Sequence, residues 1–362
     1  MANTPTSQLT TQTASGEAPR VPLGVIDVPE GTPQGEWLEI GGHTPLLWCY
    51  RGGKRLVFEQ AGPKVYLSLD GSNFSLAGII VRSREEMLLL NDLPEDTRRR
   101  LTLWIYSPHL VHLKEVAAPE SIDSIHVWEW GRGLLTDLSP LTRTTQLTSL
   151  CIRDCPKLTD LSPLKGLGKL SSLNMQRAAV SDVSPIVNLP LAWLDIRSNK
   201  LTPASAGKLA EFSHLETLKV SAYDANGAAV PLAAVLPMLP RLETLTVLCS
   251  EQTDGEGGAL VPIGMLPKLS SLTLEGLGRR PDFSEMTSLK NLTSLQVTAV
   301  MKQLEMDLTP LSQITSLRGL KLEVKNGRTL EEAEASDEPF AEDSLDLSLL
   351  QKLTVLESLD VI

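Results

Sequence analysis

Aromatic, guanidinium and carboxylate side chains recur together between residues 104 and 197, at alternate places along short apolar runs. Trp104, Tyr106, His126, Trp128, Glu129, Arg153, Asp154, Asn174, Gln176, Arg177, Trp193, Asp195 and Arg197 all face away from the residues that would form a core. Tryptophan and arginine are the types enriched where one protein grips another, because they bury much area at low rotamer cost or form forked hydrogen bonds. Every tryptophan of the chain lies at or before residue 193. Beyond it the same outward places hold Thr244, Thr246, Ser271, Thr273, Ser294, Gln296 and Thr298, which contribute little recognition. The chemistry on offer is non-covalent binding.

Groups that could support catalysis are spaced wrongly for it. His109-Leu-Val-His112 offers two ring nitrogens to a metal but has no fixed third ligand. Asp254-Gly-Glu-Gly-Gly258 lacks the alternating oxygen ligands of a calcium loop and follows no phosphate-binding strand-to-helix pattern. Cys49, Cys151, Cys155 and Cys249 contain no C-x-x-C and form no disulfide framework, so reduced thiols are expected. We expect no enzyme, no metal and no cofactor.

What must position the outward residues is an internal repeat. The strand pattern L-x-x-L-x-L begins at Leu147, Leu170, Leu191, Leu215, Leu242, Leu269, Leu292, Leu317 and Leu356, in steps of 23, 21, 24, 27, 27, 23, 25 and 39 residues. Ile122-Asp-Ser-Ile125-His-Val127 and Leu103-Trp-Ile105 extend it upstream, and Ile79 to Val81 is a weaker first strand. In each coil the two leucines and the sixth-position aliphatic point inward with period two, as a strand burying one face requires. Between strands the chain repeats Leu135-Thr-Asp-Leu-Ser-Pro-Leu141, Leu158-Thr-Asp-Leu-Ser-Pro-Leu164 and Val180-Ser-Asp-Val-Ser-Pro-Ile186, with shorter echoes at Asp307-Leu-Thr-Pro-Leu311 and Leu345-Asp-Leu-Ser-Leu-Leu350.

This run, followed by L-T-S-L-x-x-L, resembles the short bacterial leucine-rich repeats of internalins. The resemblance covers roughly residues 100 to 362. It implies an α/β solenoid, a horseshoe or arc with a parallel concave β-sheet, short 3₁₀ or irregular convex segments and a small N-terminal β cap. Asn199 and Cys155 hold the Asn/Cys place of their coils, where a side chain can satisfy turn amides.

Three domains follow. Residues 1–33, polar and rich in Ser, Thr, Gln, Pro and Gly, are expected to be a disordered tail. Residues 34–76 hold short apolar runs carrying Trp37, Trp48 and Phe58 between Gly-Gly and Gly-Pro breaks, which reads as a small antiparallel β cap. Residues 77–362 are the repeat domain of roughly 11 coils, with a short helix over Arg82 to Asn91 and an acidic insertion near 326–344. Its last coil stops on its strand, Leu356-Glu-Ser-Leu359-Asp-Val361, so an end-to-end contact through that strand is possible.

Composition fits the same picture. Hydrophobic residues are 42% and aromatics 4%, so the core is aliphatic. A net charge of -11 argues against nucleic acid and anionic membrane as partners, and Arg98-Arg99-Arg100 reads as a solvated turn. No charged n-region followed by an apolar h-region, and no wall-anchoring motif, is found, so the expected location is cytoplasmic. The alternative is an exported, type III-like effector that uses the repeat surface on a host protein. The expected function is a non-catalytic interaction module that holds a protein partner on the N-terminal half of the concave face.

Overall fold

The structure, a computed structural model, describes residues 21–27, 36–38, 47–50, 55–61, 64–70, 75–81, 83–92, 98–99, 102–128, 134–223, 229–249, 263–277, 283–301, 307–326 and 347–361. Residues 1–20, the Asp254 to Gly258 loop and most of the acidic insertion lie outside them.

Among the first residues, β1 (Val21–Asp27), β4 (Arg55–Ala61) and β5 (Lys64–Asp70) form an antiparallel three-stranded sheet in the order β1-β4-β5. The strand at β1 corrects the reading of residues 1–33 as one polar tail. Val21, Leu23, Val25 and Ile26 give that stretch the β-forming content of a strand, which pairs with β4 with a register shift between Pro22 and Gly24. Next, β2 (Glu36–Leu38), β3 (Leu47–Tyr50) and β6 (Ser75–Val81) pair antiparallel in the order β2-β3-β6, placing Trp37 opposite Trp48.

From β6 onward the ladder is parallel. It continues through β7 (Thr102–Tyr106), β8 (Ser124–Trp128), β9 (Ser149–Ile152), β10 (Ser172–Asn174), β11 (Trp193–Asp195) and β12 (Thr217–Ser221). It ends with β13 (Thr244–Leu248), β14 (Ser271–Leu277), β15 (Ser294–Met301), β16 (Gly319–Asn326) and β17 (Ser358–Val361). Strand neighbours follow chain order, giving one open 14-stranded sheet from β17 to β2. The core is a ladder of aliphatics behind it. Leu150, Leu173, Leu194, Leu218, Leu245, Leu272 and Leu295 are paired in register and buried. Each such leucine is worth about 1.5 to 3 kcal/mol of burial.

The D-L-S-P-L signature has a physical origin in the return segments. Asp137, Asp160 and Asp182 accept hydrogen bonds from the backbone amides of Ser139, Ser162 and Ser184 at 2.7, 2.8 and 2.9 Å. Each carboxylate thus closes a turn that opens a 3₁₀ segment, at Ser139–Arg143, Ser162–Leu164 and Ser184–Ile186. Proline follows the serine, where its missing N–H costs nothing. Asp307 does the same for Thr309 at 2.8 Å.

Strand length divides the array. In three successive coils Asp154, Arg177 and Ser198 adopt left-handed backbone with φ of 60°, 57° and 57°. That turn takes the chain off the sheet, and β9 to β11 hold only three or four residues each. Asn199 completes the turn in its coil, accepting from the Val180 amide at 3.2 Å and donating to the Met175 and Ile196 carbonyls at 2.8 and 2.9 Å. From β12 on the chain stays extended, up to eight residues in β15 and β16.

Candidate functional site

The parallel register collects the outward side chains into rows that cross the strands. Trp104, His126, Cys151, Asn174, Asp195, Lys219, Thr246, Thr273, Gln296 and Lys321 form one row along the middle of the concave wall. Two residues N-terminal to it runs a second row of Thr102, Ser124, Ser149, Ser172, Trp193, Thr217, Thr244, Ser271, Ser294 and Gly319. Every member of that row except Trp193 is small. The indole therefore stands between Ser172 and Thr217 as a single projection from a low floor.

Around Trp193 the charges are arranged rather than scattered. The Lys219 ammonium lies over the indole, 5.5 Å from the ring centroid, within cation–π range. Arg197 forks onto Asp195 through Nε and Nη2 at 3.1 and 2.9 Å and reaches Glu275 of β14 with Nη1 at 3.1 and 3.0 Å. That second contact crosses three strand spacings, about 14 Å of ladder. Glu275 is aimed by a bulge, where register shifts between Glu275 and Leu277 around Gly276 at φ +72°. A Cβ at Gly276 would meet the Cys249 carbonyl oxygen at 3.1 Å. The neighbouring carboxylate of Asp195, hydrogen-bonded first of all, raises the Arg197 pKa further above its ordinary value.

Of the residues expected to meet a partner, the structure brings most to one wall. Trp104 and His126 pack ring against ring at 5.1 Å, both half-buried, and desolvation lowers the His126 pKa so that the ring stays neutral near pH 7. Tyr106 ends β7 and contacts His109 at 6.1 Å. Arg153 is exposed and donates to Gln176 Oε1 at 3.0 Å. Asp154 and Arg177 form an ion pair between adjacent coils. Asp195 is different, since it is 1% exposed and fully engaged by Arg197, so it positions that guanidinium instead of offering a free carboxylate. Trp128 sits in β8 in register with Tyr106, its side chain outside the described residues, as is Glu129. Lys219 was not singled out in the sequence. Its place, the fifth of L-x-x-L-x-L in the coil after that of Trp193, is the signal that marks it.

The remaining candidates resolve as follows. His109 and His112 stack at 6.0 Å, and His112 Nδ1 meets Glu115 at 2.9 Å. Glu115 is also forked by Arg84, which holds its pKa down to about 2, with His112 adding to the effect. Among the described residues no group of three or more His, Cys, Asp or Glu could hold a metal ion. Cys151 is pushed up to about 11 and Cys249 to about 12, in both cases mainly by burial. Arg98 corrects the reading of the arginine run as solvated at that one position, Arg99 being exposed. Arg98 is 8% exposed and donates to the Ser121 hydroxyl at 3.0 Å and the Leu90 carbonyl at 2.8 Å, so it serves the first coil as an internal tie. Among the described residues no helix is long and apolar enough to cross a membrane.

No protein-family model and no curated protein matches the chain. Solved structures do. The chain is similar to internalin C2 of Listeria monocytogenes at 17% identity, covering 60% of this chain and 81% of that one with a TM-score of 0.41. To internalin F of the same organism the identity is 21%, the coverage 80% and 81%, and the TM-score 0.43. A structure described as a TLR13–ssRNA13 complex matches at 17% identity over 79% of this chain and 43% of that one, with a TM-score of 0.52. At these identities the likeness is one of fold. With its period, its register-paired leucine ladder and its open parallel sheet, the chain is by fold a leucine-rich repeat solenoid.

Proposed function

We propose that the chain is a non-catalytic interaction module that holds a protein partner on the N-terminal half of the concave wall, β7 to β12. The observation that carries this reading is Trp193, half-exposed on a row of small residues with Lys219 over its ring and the Asp195–Arg197 pair beside it. A projecting aromatic with braced charges around it is the composition of a binding hot spot. The neighbouring half-exposed Trp104, Tyr106 and His126 widen the same surface. Beyond β12 the wall carries no aromatic side chain at the row positions, and Thr246 and Thr298 are themselves buried. A protein, and not a polyanion or an anionic bilayer, is the partner this reading favours, because the net charge of -11 repels both of the latter.

The test is affinity capture from source-cell extract with the intact chain, Trp193→Ala with Arg153→Ala, and the convex pair Met238→Ala with Met265→Ala. The captured protein is then purified and titrated. The wall pair should weaken its binding by about 2 kcal/mol or more with little change in unfolding midpoint. Equal binding by the wall pair, or equal loss from the convex pair, would sink the proposal.

A further inference from the structure

The wall is charged against the sign of the whole molecule. The chain carries -11 overall, yet the outward places of β9 to β12 and the turns that follow them hold Arg153, Arg177, Arg197 and Lys219 against Asp154 and Asp195. Those two acids are already taken, Asp154 by Arg177 and Asp195 by Arg197, and Arg197 also holds Glu275. Two cations are left without a carboxylate among the described residues. Lys219 has the Trp193 ring beneath it, and Arg153 has only the Gln176 amide oxygen.

Resting on the wall as the binding surface, we infer that its occupant is an acidic peptide segment of a protein. One carboxylate meets Lys219, a second meets Arg153, and an apolar side chain beside the first lies on Trp193. The geometry sets the spacing. Lys219 lies on β12 and Arg153 just beyond β9, three strand spacings apart across the ladder and two residues apart along it, or about 16 Å, a distance an extended chain covers in about five residues. The floor of Ser149, Ser172 and Thr217 leaves room for a backbone to approach beside the indole. A nucleic acid would also present negative charge, but two cations without a carboxylate among the described residues, on a chain of -11, make a poor polyanion footprint, so the protein class is favoured.

The experiment is a selection of random linear peptides on the intact chain, followed by fluorescence anisotropy with the selected peptides and, separately, with oligouridylate RNA. The inference expects Asp or Glu enriched at two positions about five residues apart with an apolar residue next to one of them. It also expects affinity to fall about tenfold in Lys219→Met and again in Arg153→Met, and to weaken with salt. Both residues are on the surface side of the sheet, and a circular dichroism melt of each variant confirms folding. Selected sequences rich in Lys or Arg, acidic peptides that bind the double variant unchanged, tighter binding of the RNA than of any peptide, or an empty selection would overturn it. Peptides that are not acidic but lose binding in Trp193→Ala leave the wall as the binding surface while refuting the acidic class. Peptides indifferent to Trp193→Ala remove both.

Discussion

Replacing Arg197 by Met leaves Asp195 with its side chain 2% exposed and no countercharge, which makes it the most informative single change in the wall. The Arg197 guanidinium donates two bonds to Asp195 and two to Glu275, but the two acids are not equivalent, since Glu275 is 35% exposed. Stranding a buried charge costs about 3 to 5 kcal/mol, whereas an exposed pair is worth about 0 to 1 kcal/mol because water and salt screen it. Arg197→Met should therefore cost about 3 kcal/mol or more, Asp195→Asn about 1 to 2 kcal/mol because the guanidinium keeps Glu275, and Glu275→Gln under about 1 kcal/mol. The double variant Asp195→Leu with Arg197→Met should be less destabilised than Arg197→Met alone, because an apolar pair leaves no charge to desolvate. The assay is urea unfolding followed by tryptophan fluorescence and circular dichroism together, with coincident transitions required before energies are compared. If Arg197→Met costs no more than Glu275→Gln, or the double variant is worse than the single one, the buried-carboxylate argument is wrong.

Gly276→Ala puts a Cβ on a φ of +72° and against the Cys249 carbonyl, so it should cost about 1 to 2 kcal/mol in the same unfolding assay; a neutral result would mean the bulge is not fixed. The turn carboxylates Asp137, Asp160, Asp182 and Asp307 have pKa values lowered first by the following Ser or Thr hydroxyl and then by its amide. Folded values below the unfolded ~3.9 give stability that is present above about pH 4 and lost as pH falls through the folded values. Melting between neutral and acid pH should show that loss, and it should be shallower when all four are Asn, which still closes the turn; equal slopes would reject the assignment. Because burial raises Cys151 to about 11, its thiolate fraction at pH 8 is about one part in a thousand, and it should react with a disulfide reagent far more slowly than free cysteine; labelling at the rate of a free thiol would contradict that environment.

Most of the fold is legible because its determinants are periodic. The inward leucines from Leu147 to Leu317 recur at nearly one step, and a strand that buries one face must place them so. Ile79 to Val81, weak as a pattern, lies in the strand that joins the antiparallel β2 and β3 to the parallel ladder, since β6 pairs with β3 on one side and β7 on the other. What stays hidden is what depends on contact across coils. Arg98 reads as solvated in a run of three arginines because nothing local announces the Leu90 carbonyl and Ser121 hydroxyl that receive it. The outward address of Trp193 and Arg197 follows from alternation, but the partnership of Arg197 with Glu275, 78 residues away, does not. Asp195 looks like a free charge for the same reason, and only the fork from Arg197 shows it to be an internal brace. The strand β1 was missed because proline and glycine interrupt its alternation.

Hydroxyl-radical footprinting of the chain with its captured, purified partner tests the central claim most directly, because reactive side chains mark both faces. Trp193, Tyr106 and His126 report on the concave wall, while Met238 and Met265, 59% and 66% exposed, report on the return segments. Binding on the wall predicts that oxidation of Trp193 and Tyr106 falls severalfold in the complex while both methionines react as in the free chain. Protection of Met238 and Met265, with Trp193 as reactive as before, would place the partner elsewhere and contradict the account.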